Sequence, residues 1–364
     1  MKFLFLVQGE GRGHMTQAIS LKQMLEGGGH QICAVCVGRS KSRAIPQFFL
    51  DRIGSAVVPY DSPNFKTDPA RRGISIFGTA LENFKGLPRF AGSLRTLHRI
   101  VRSSKPDVLV NFFDPLAAIY GAISRSKPKM ISVAHQYLLL HPGFVFPKLN
   151  FMGKLAMLVF IRLCTLGSDR ILALSFKQMR DVAGRNLLVV PPLLRHEIKG
   201  MAPVTEDFIL AYVLNDGYAQ DLAERQRRCP DVRIVGFWDR KGAPEVTELQ
   251  ENVIFRRLND TAFLDAMNRC KGLMTTAGFE SVCEAMYLGK PVYMMPANRQ
   301  IEQHCNAVDA SLSGAGIWGF DFDLEGFLEY LPRHQSNTKE FRSWVDRGEK
   351  IYPQLFAGLI SESL

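Results

Sequence analysis

At 364 residues the chain exceeds the size at which one hydrophobic core keeps growing, so two domains are expected. Hydrophobic residues at 46% and charged residues at 22% exclude a disordered chain, and seven scattered cysteines exclude a disulfide framework and fit a reducing compartment. The net charge of +10 is unevenly divided: residues 1–200 carry 28 Lys and Arg against 11 Asp and Glu, while residues 201–364 carry 17 against 24. A cationic first half draws anionic lipid, acidic glycan or nucleic acid. Nucleic acid is placed last, because the sequence has no zinc finger, RNA-binding signature or regular aromatic–basic interleaving.

The apolar run at the start stops at Gln8, too short for the core of a signal peptide, and predicts the first strand. A Gly-rich loop at 9–14 follows, then a helix over 16–26 ended by Gly27, Gly28 and Gly29, and a second strand over 31–37. Cys33 and Cys36 form a C-x-x-C, but inside a β-branched run they fit a buried strand better than a redox or metal pair. Such a βαβ opening binds ligands at the carboxyl ends of its strands. Residues 63–92 are basic and rich in Gly and Pro, which predicts a long loop with short helices before a helix over 90–103. A strand over 107–112 ends at Phe113-Asp114-Pro115; a helix over 116–124 and a strand over 129–134 come next.

The stretch 137–166 mixes apolar and aromatic runs with Lys148, Lys154 and Arg162. Its apolar run 155–161 is too short to cross a bilayer and fits equally a helix at the membrane interface or a buried helix of the first domain. Strands over 169–173 and 187–190 close that domain. Prolines bracket a polar linker at 191–205, giving a first domain 1–190, a second at 206–335 and a terminal segment 336–364 with a helix over 338–360 packing back on the first domain. The second domain starts again with strands over 208–214, 232–237 and 253–255, and helices over 219–228 and 261–269. Each half is therefore expected to be a doubly wound, Rossmann-like α/β unit.

Three clusters carry chemistry. Gly11 and Gly13 lie in the glycine loop, where backbone can approach an anionic substrate closely, although the spacing is not that of a dinucleotide fingerprint. His14 at the end of that loop would alone read more readily as a cap or packing residue, but Asp114 at the end of another strand of the same sheet could orient it, which makes it a candidate general base. In the second half, residues 275–296 read as a turn, a helix over 280–288, a second turn and a strand. Thr276, Gly278 and Ser281 would place free N–H groups and small polar side chains at a phosphate, and Glu284 a carboxylate at ribose hydroxyls. Spacing alone fits equally any αβ unit of a parallel sheet. Glu302, Gln303 and Asn306 supply the donors and acceptors that sugar hydroxyls require, or simply a polar helix start.

In this order the clusters resemble those of GT-B glycosyltransferases, and the second half resembles the carboxyl-terminal domain of glycosyltransferase family 28, typified by the lipid-linked N-acetylglucosaminyltransferase of peptidoglycan synthesis. That family's Gly-x-x-(Ser/Thr)-x-x-Glu-Ala-x-x-x-Gly-(Lys/Val)-Pro stretch is matched by Gly278, Ser281, Glu284, Ala285, Gly289, Lys290 and Pro291. Its (Asp/Glu)-Gln-x-x-Asn-Ala element is matched by Glu302, Gln303, Asn306 and Ala307. The resemblance implies two Rossmann-like domains facing a central cleft and a hexose-type sugar passing from a nucleoside diphosphate, expected to be UDP, to a lipid or glycan hydroxyl. It implies Glu284 on the ribose, Ser281 and Gly278 near the diphosphate, and Glu302 with Gln303 on the sugar. It implies no metal and no cofactor beyond the UDP-sugar co-substrate. A cytoplasmic place is expected, with attachment to the inner face of an anionic membrane as its variant, in the setting of the cell envelope. A nucleotide-sugar epimerase of the same fold and a non-catalytic sugar-nucleotide or glycan binder are the alternatives. Two departures stand out: Phe279-Glu280 brings bulk and a second acid after Gly278, and Asn215-Asp216-Gly217 replaces the Gly/Ser-rich turn after the first strand of the second domain.

Overall fold

The structure is a computed structural model that describes residues 1–40, 44–63, 76–213, 216–240, 242–298 and 300–361. The chain divides into two compact units, one of residues 1–144, 148–195 and 344–364, the other of residues 145–147 and 196–343. The division after Arg195 falls inside the stretch expected as a linker.

The first unit runs β1 (Lys2–Gln8), α1 (Arg12–Gly27), β2 (Gln31–Arg39), α2 (Gln47–Ile53), β3 (Val57–Asp61), α3 (Ile76–Ser104) and β4 (Val108–Phe112). It continues with α4 (Pro115–Ile123), β5 (Lys129–Ala134), α5 (Phe151–Leu163), β6 (Arg170–Leu174) and β7 (Leu187–Val190). Its seven strands lie in the order β3-β2-β1-β4-β5-β6-β7, all parallel. Phe3, Leu4, Phe5, Leu6 and Val7 of β1 are fully buried because a central parallel strand is covered on both faces, which is why its sequence is a continuous apolar run. Strand order reverses between β1 and β4, and the chain ends leaving these two strands carry His14 and Asp114.

The second unit runs α6 (His196–Lys199), β8 (Ile209–Val213), α7 (Asp216–Gln226), β9 (Ile234–Trp238), β10 (Val246–Gln250), β11 (Val253–Arg257) and α8 (Asp260–Arg269). Then come β12 (Gly272–Thr275), α9 (Phe279–Tyr287), β13 (Val292–Met294), α10 (Ile301–Leu312), β14 (Gly316–Trp318) and α11 (Leu324–Tyr330). The sheet order is β10-β11-β9-β8-β12-β13-β14, parallel except for β10, and it reverses between β8 and β12. α12 (Thr338–Asp346) and α13 (Gly348–Ser361) close the chain.

Several expectations need correction. Residues 76–92 are not a loop: they belong to the 29-residue α3, which carries Pro88 inside it. Of the residues that suggested a loop, Gly86 serves packing, since a Cβ there would collide with the Phe90 ring, and Phe90, Leu97 and Val101 then pack with Leu4, Leu6 and Leu109. The rest of the expected loop, residues 64–75, lies outside the described residues. The terminal helix is two helices, and from Trp344 onward the chain belongs to the first unit. There the Trp344 indole donates to Ser175 O at 2.9 Å and the Tyr352 hydroxyl to Pro191 O at 2.6 Å. Strands β3, β10 and β14 carry no strong pattern of their own; β10 is an edge strand paired through the two-residue turn Glu251-Asn252, with Asn252 at φ 63°. Cys33 and Cys36 do lie in a strand, as free thiols.

Candidate active site

Gly11 is the N-cap of α1, so His14 sits inside the first turn of that helix rather than ahead of it. The imidazole is buried, its Nδ1 lies 3.4 Å from Gln17 Oε1 one turn along, and its ring stacks on Phe113 at 5.4 Å with the planes 22° apart. Burial lowers its pKa from 6.5 to about 4, against a smaller upward pull from Gln17, so the ring is neutral at neutral pH. With Nδ1–H donated to the Gln17 carbonyl, Nε2 carries the lone pair. A Cβ on Gly11 would meet only the His14 ring, at 3.9 Å, leaving room in front of the loop for a ligand. Gly13 lies in the same helical turn as His14. The more constrained glycine is Gly9, whose N–H donates to Gly38 O at 2.7 Å and where a Cβ would strike that carbonyl.

Asp114 does not orient His14, as the sequence suggested. Its Oδ1 accepts from Ala117 N at 2.8 Å and caps α4. Its Oδ2 faces the Tyr60 and Ser62 hydroxyls and Gly38, where a Cβ would overlap it. The two hydroxyls favour the charged form from close range, although no hydrogen bond of full geometry joins the three buried oxygens. Burial dominates and raises the Asp114 pKa from 3.8 to about 6. The physical reason is direction: the carboxylate turns forward onto the start of α4 to satisfy an N-terminal donor, and Gln17 and Phe113 hold the imidazole instead.

Phe113 is the residue that sequence reasoning passed over. It has φ 61°, a left-handed conformation that costs a non-Gly residue about 1–2 kcal/mol. The turn is braced by Asn111, whose Oδ1 accepts from Asp114 N at 2.8 Å and whose Nδ2 donates to Asp114 O at 3.1 Å. The Phe113 ring meets Tyr137 and Phe160 edge-on, at 5.5 and 5.7 Å. Strain held in place by surrounding structure beside a candidate base points to a functional constraint.

In the second unit the chain leaves β12 through Thr275 and Thr276, both buried, and Ala277 at φ 58°, and enters α9 with Gly278 as N-cap. Ser281 Oγ donates to Gly278 O at 3.1 Å, and Asn306 Nδ2 donates to Ala277 O at 3.2 Å, so α10 holds the turn from behind. Asn306 Oδ1 and Thr275 Oγ1 are buried with no hydrogen-bond partner among the described residues. Glu284 is 1% exposed, and its charge, with those of Glu280 and Asp309, adds to the effect of burial in pushing the Cys283 thiol pKa upward. Glu302 and Gln303 open α10; Gln303 Oε1 already accepts from Ala297 N at 2.8 Å and fixes the loop before the helix. Phe279 is buried. Lys290 is a brace: its buried ammonium donates to Val204 O, and to Cys270 O at 2.8 Å. Asn215 lies outside the described residues. Among the described residues no cluster of three or more His, Cys, Asp and Glu side chains is placed to hold a metal, and no helix is long and apolar enough to cross a membrane.

Two Rossmann-like sheets, each with its polar turns at the strand-order reversal, define the GT-B class of glycosyltransferases. Solved structures share that fold over nearly their whole length. The glycotransferase of kitacinnamycin matches with TM-score 0.63 at 18% identity, covering 98% of each chain. CalG4, the calicheamicin glycosyltransferase, matches with TM-score 0.59 at 14% identity over 99% of this chain and 98% of its own. UGT2 of Phytolacca americana, complexed with UDP-2fluoro-glucose and pterostilbene, matches with TM-score 0.66 at 11% identity over 98% and 99%. No curated protein matches in sequence. The model of glycosyl transferase family 1 matches residues 1–333, and the chain belongs to that family. It is a GT-B glycosyltransferase.

Proposed function

We propose that the enzyme transfers a hexose-type sugar from a nucleoside diphosphate, UDP as first choice, to an acceptor hydroxyl, with the second unit holding the donor in the manner of the family 28 motif. The observation that carries this reading is the neutral, sequestered imidazole of His14, held by Gln17 and Phe113 at the end of β1. In the proposed step the acceptor oxygen attacks the anomeric carbon, its proton passes to His14 Nε2, and the sugar–phosphate bond breaks with its electron pair leaving on the diphosphate. In the donor unit, Thr276, Gly278 and Ser281 at the start of α9 stabilise the departing diphosphate through N–H and hydroxyl donors, Glu284 takes the ribose, and Glu302, Gln303 and Asn306 take the sugar. No metal or further cofactor takes part. The acceptor is a lipid or a glycan.

The test is a panel of nucleotide sugars incubated with and without lipid or glycan acceptors, with chelator present in parallel. Acceptor-dependent UDP release that is indifferent to chelator is expected. Isomerised donor without acceptor would identify an epimerase, and binding without turnover a non-catalytic role. His14→Ala should lower turnover and leave UDP affinity intact; unchanged turnover removes His14 as the base.

A further inference from the structure

Helix α5 is an apolar helix that the protein hardly covers. Of its thirteen residues only Ile161 is buried. On the opposite side of the helix Met152, Leu155, Val159 and Leu163 recur at intervals of three, four and four, so they form one stripe, and all four are exposed. Phe151 is 75% exposed and Met152 68%. An apolar stripe on the outer side of a helix lowers solubility unless something covers it, and here two independent features say what.

The first is charge. From residue 115 to 168 the chain contains no Asp or Glu; Lys127 and Lys129 pair with Asp169 just beyond, and the other cations of the stretch are Arg125, Lys148, Lys154 and Arg162. Lys148, just ahead of the helix in sequence, and Arg162, next to Leu163 within it, are exposed. An interface with a second copy through an exclusively cationic segment places like charges face to face, whereas an anionic bilayer complements both the stripe and its border. The second is position. Phe160 of α5 packs on Phe113, the ring that stacks on His14, so the helix that carries the stripe is in contact with the acceptor side of the first unit.

We infer that α5 is a membrane-docking helix, lying in the plane of an anionic bilayer with Met152, Leu155, Val159 and Leu163 in the acyl boundary and Lys148 and Arg162 at the headgroups. The surface lies on the same unit as His14 and supplies acceptors that reside in a bilayer. The docking itself does not depend on the transfer reaction, and its test does not use activity.

The full-length protein is mixed with phosphatidylcholine vesicles with and without phosphatidylglycerol, and bound protein is measured by co-sedimentation at low and high salt. Binding to the anionic vesicles is expected, weakened by salt, and reduced about tenfold or more in the double variant Leu155→Glu/Val159→Glu. Both side chains are exposed, and circular dichroism checks that the variant is folded. Leu312→Glu, which alters an exposed apolar side chain of the second unit, should bind like the wild type. The emission of Leu155→Trp should shift to the blue on anionic vesicles. Absence of vesicle binding, equal binding by the double variant, or a lipid-free dimer in sedimentation velocity that the double variant abolishes would each overturn the inference.

Discussion

The His14 ring lies flat on the Phe113 ring, 5.4 Å between centroids, and Phe113 reaches it only by holding a left-handed backbone conformation. Removing the ring and relieving the backbone are therefore separable. Phe113→Ala should destabilise the first unit by about 3–5 kcal/mol, the usual cost of emptying a buried aromatic site. Phe113→Gly should be more stable than Phe113→Ala by about 1 kcal/mol, the reverse of the ordinary order, because glycine accepts φ 61° without penalty. Chemical denaturation of the two variants checks the order, and turnover should fall in both because the imidazole loses its platform.

Gln17 takes the place at His14 Nδ1 that a carboxylate would strengthen. Gln17→Glu should raise the His14 pKa from about 4 towards its ordinary value by putting a negative charge 3.4 Å from the ring. The acid limb of the rate profile should move up with it. An NMR titration of the imidazole reads the shift without substrate, and a His14 pKa unmoved by the carboxylate would show that the two side chains are not in contact.

The two buried titratable groups respond to pH in opposite directions. The His14 pKa is depressed, so its contribution is present above pH 6.5 and is lost as pH falls through about 4. The Asp114 pKa is raised, so its contribution is present below pH 3.8 and is lost as pH rises through about 6. Each amounts to about 3 kcal/mol at 1.36 kcal/mol per unit, and between pH 4 and 6 they largely cancel. His14→Phe should make the protein lose stability as pH rises across that window. Asp114→Asn keeps an N-cap and should make it lose stability as pH falls. Urea midpoints at several pH values distinguish the two slopes from the flat wild-type response.

Glu284 and Lys290 sit six residues apart in one motif and should fail differently. Glu284→Gln removes a buried charge from the proposed ribose contact and should weaken UDP by about tenfold to a hundredfold, measured by calorimetry. Lys290→Met strips the donors from Val204 O and Cys270 O and should cost about 1–3 kcal/mol of stability with UDP affinity unchanged in the protein that remains folded. UDP affinity equal to wild type in Glu284→Gln would remove the ribose assignment.

What the sequence determined by itself is the set of features written in local signals. The apolar run of β1, the glycine loop, the Gly278–Pro291 pattern around α9 and the doubled α/β plan all follow from periodicity, caps and breakers within a dozen residues. Features whose signal is weak or shared escaped it. Strand β3 and edge strand β10 have no periodicity strong enough to mark them, and α3 hides behind Pro88 and its glycines, of which Gly86 leaves room for the Phe90 ring. Only the tertiary structure decided which groups meet. Asp114 and His14 leave adjacent strands and look like a pair, but the carboxylate satisfies the start of α4 while Gln17 and Phe113 take the imidazole, because side-chain direction at a strand end is set by the turn that follows. The same limit applied to α5: its composition fits a buried helix and an interfacial one alike, and only the packing of the first unit shows that Ile161 is covered while the opposite stripe is exposed.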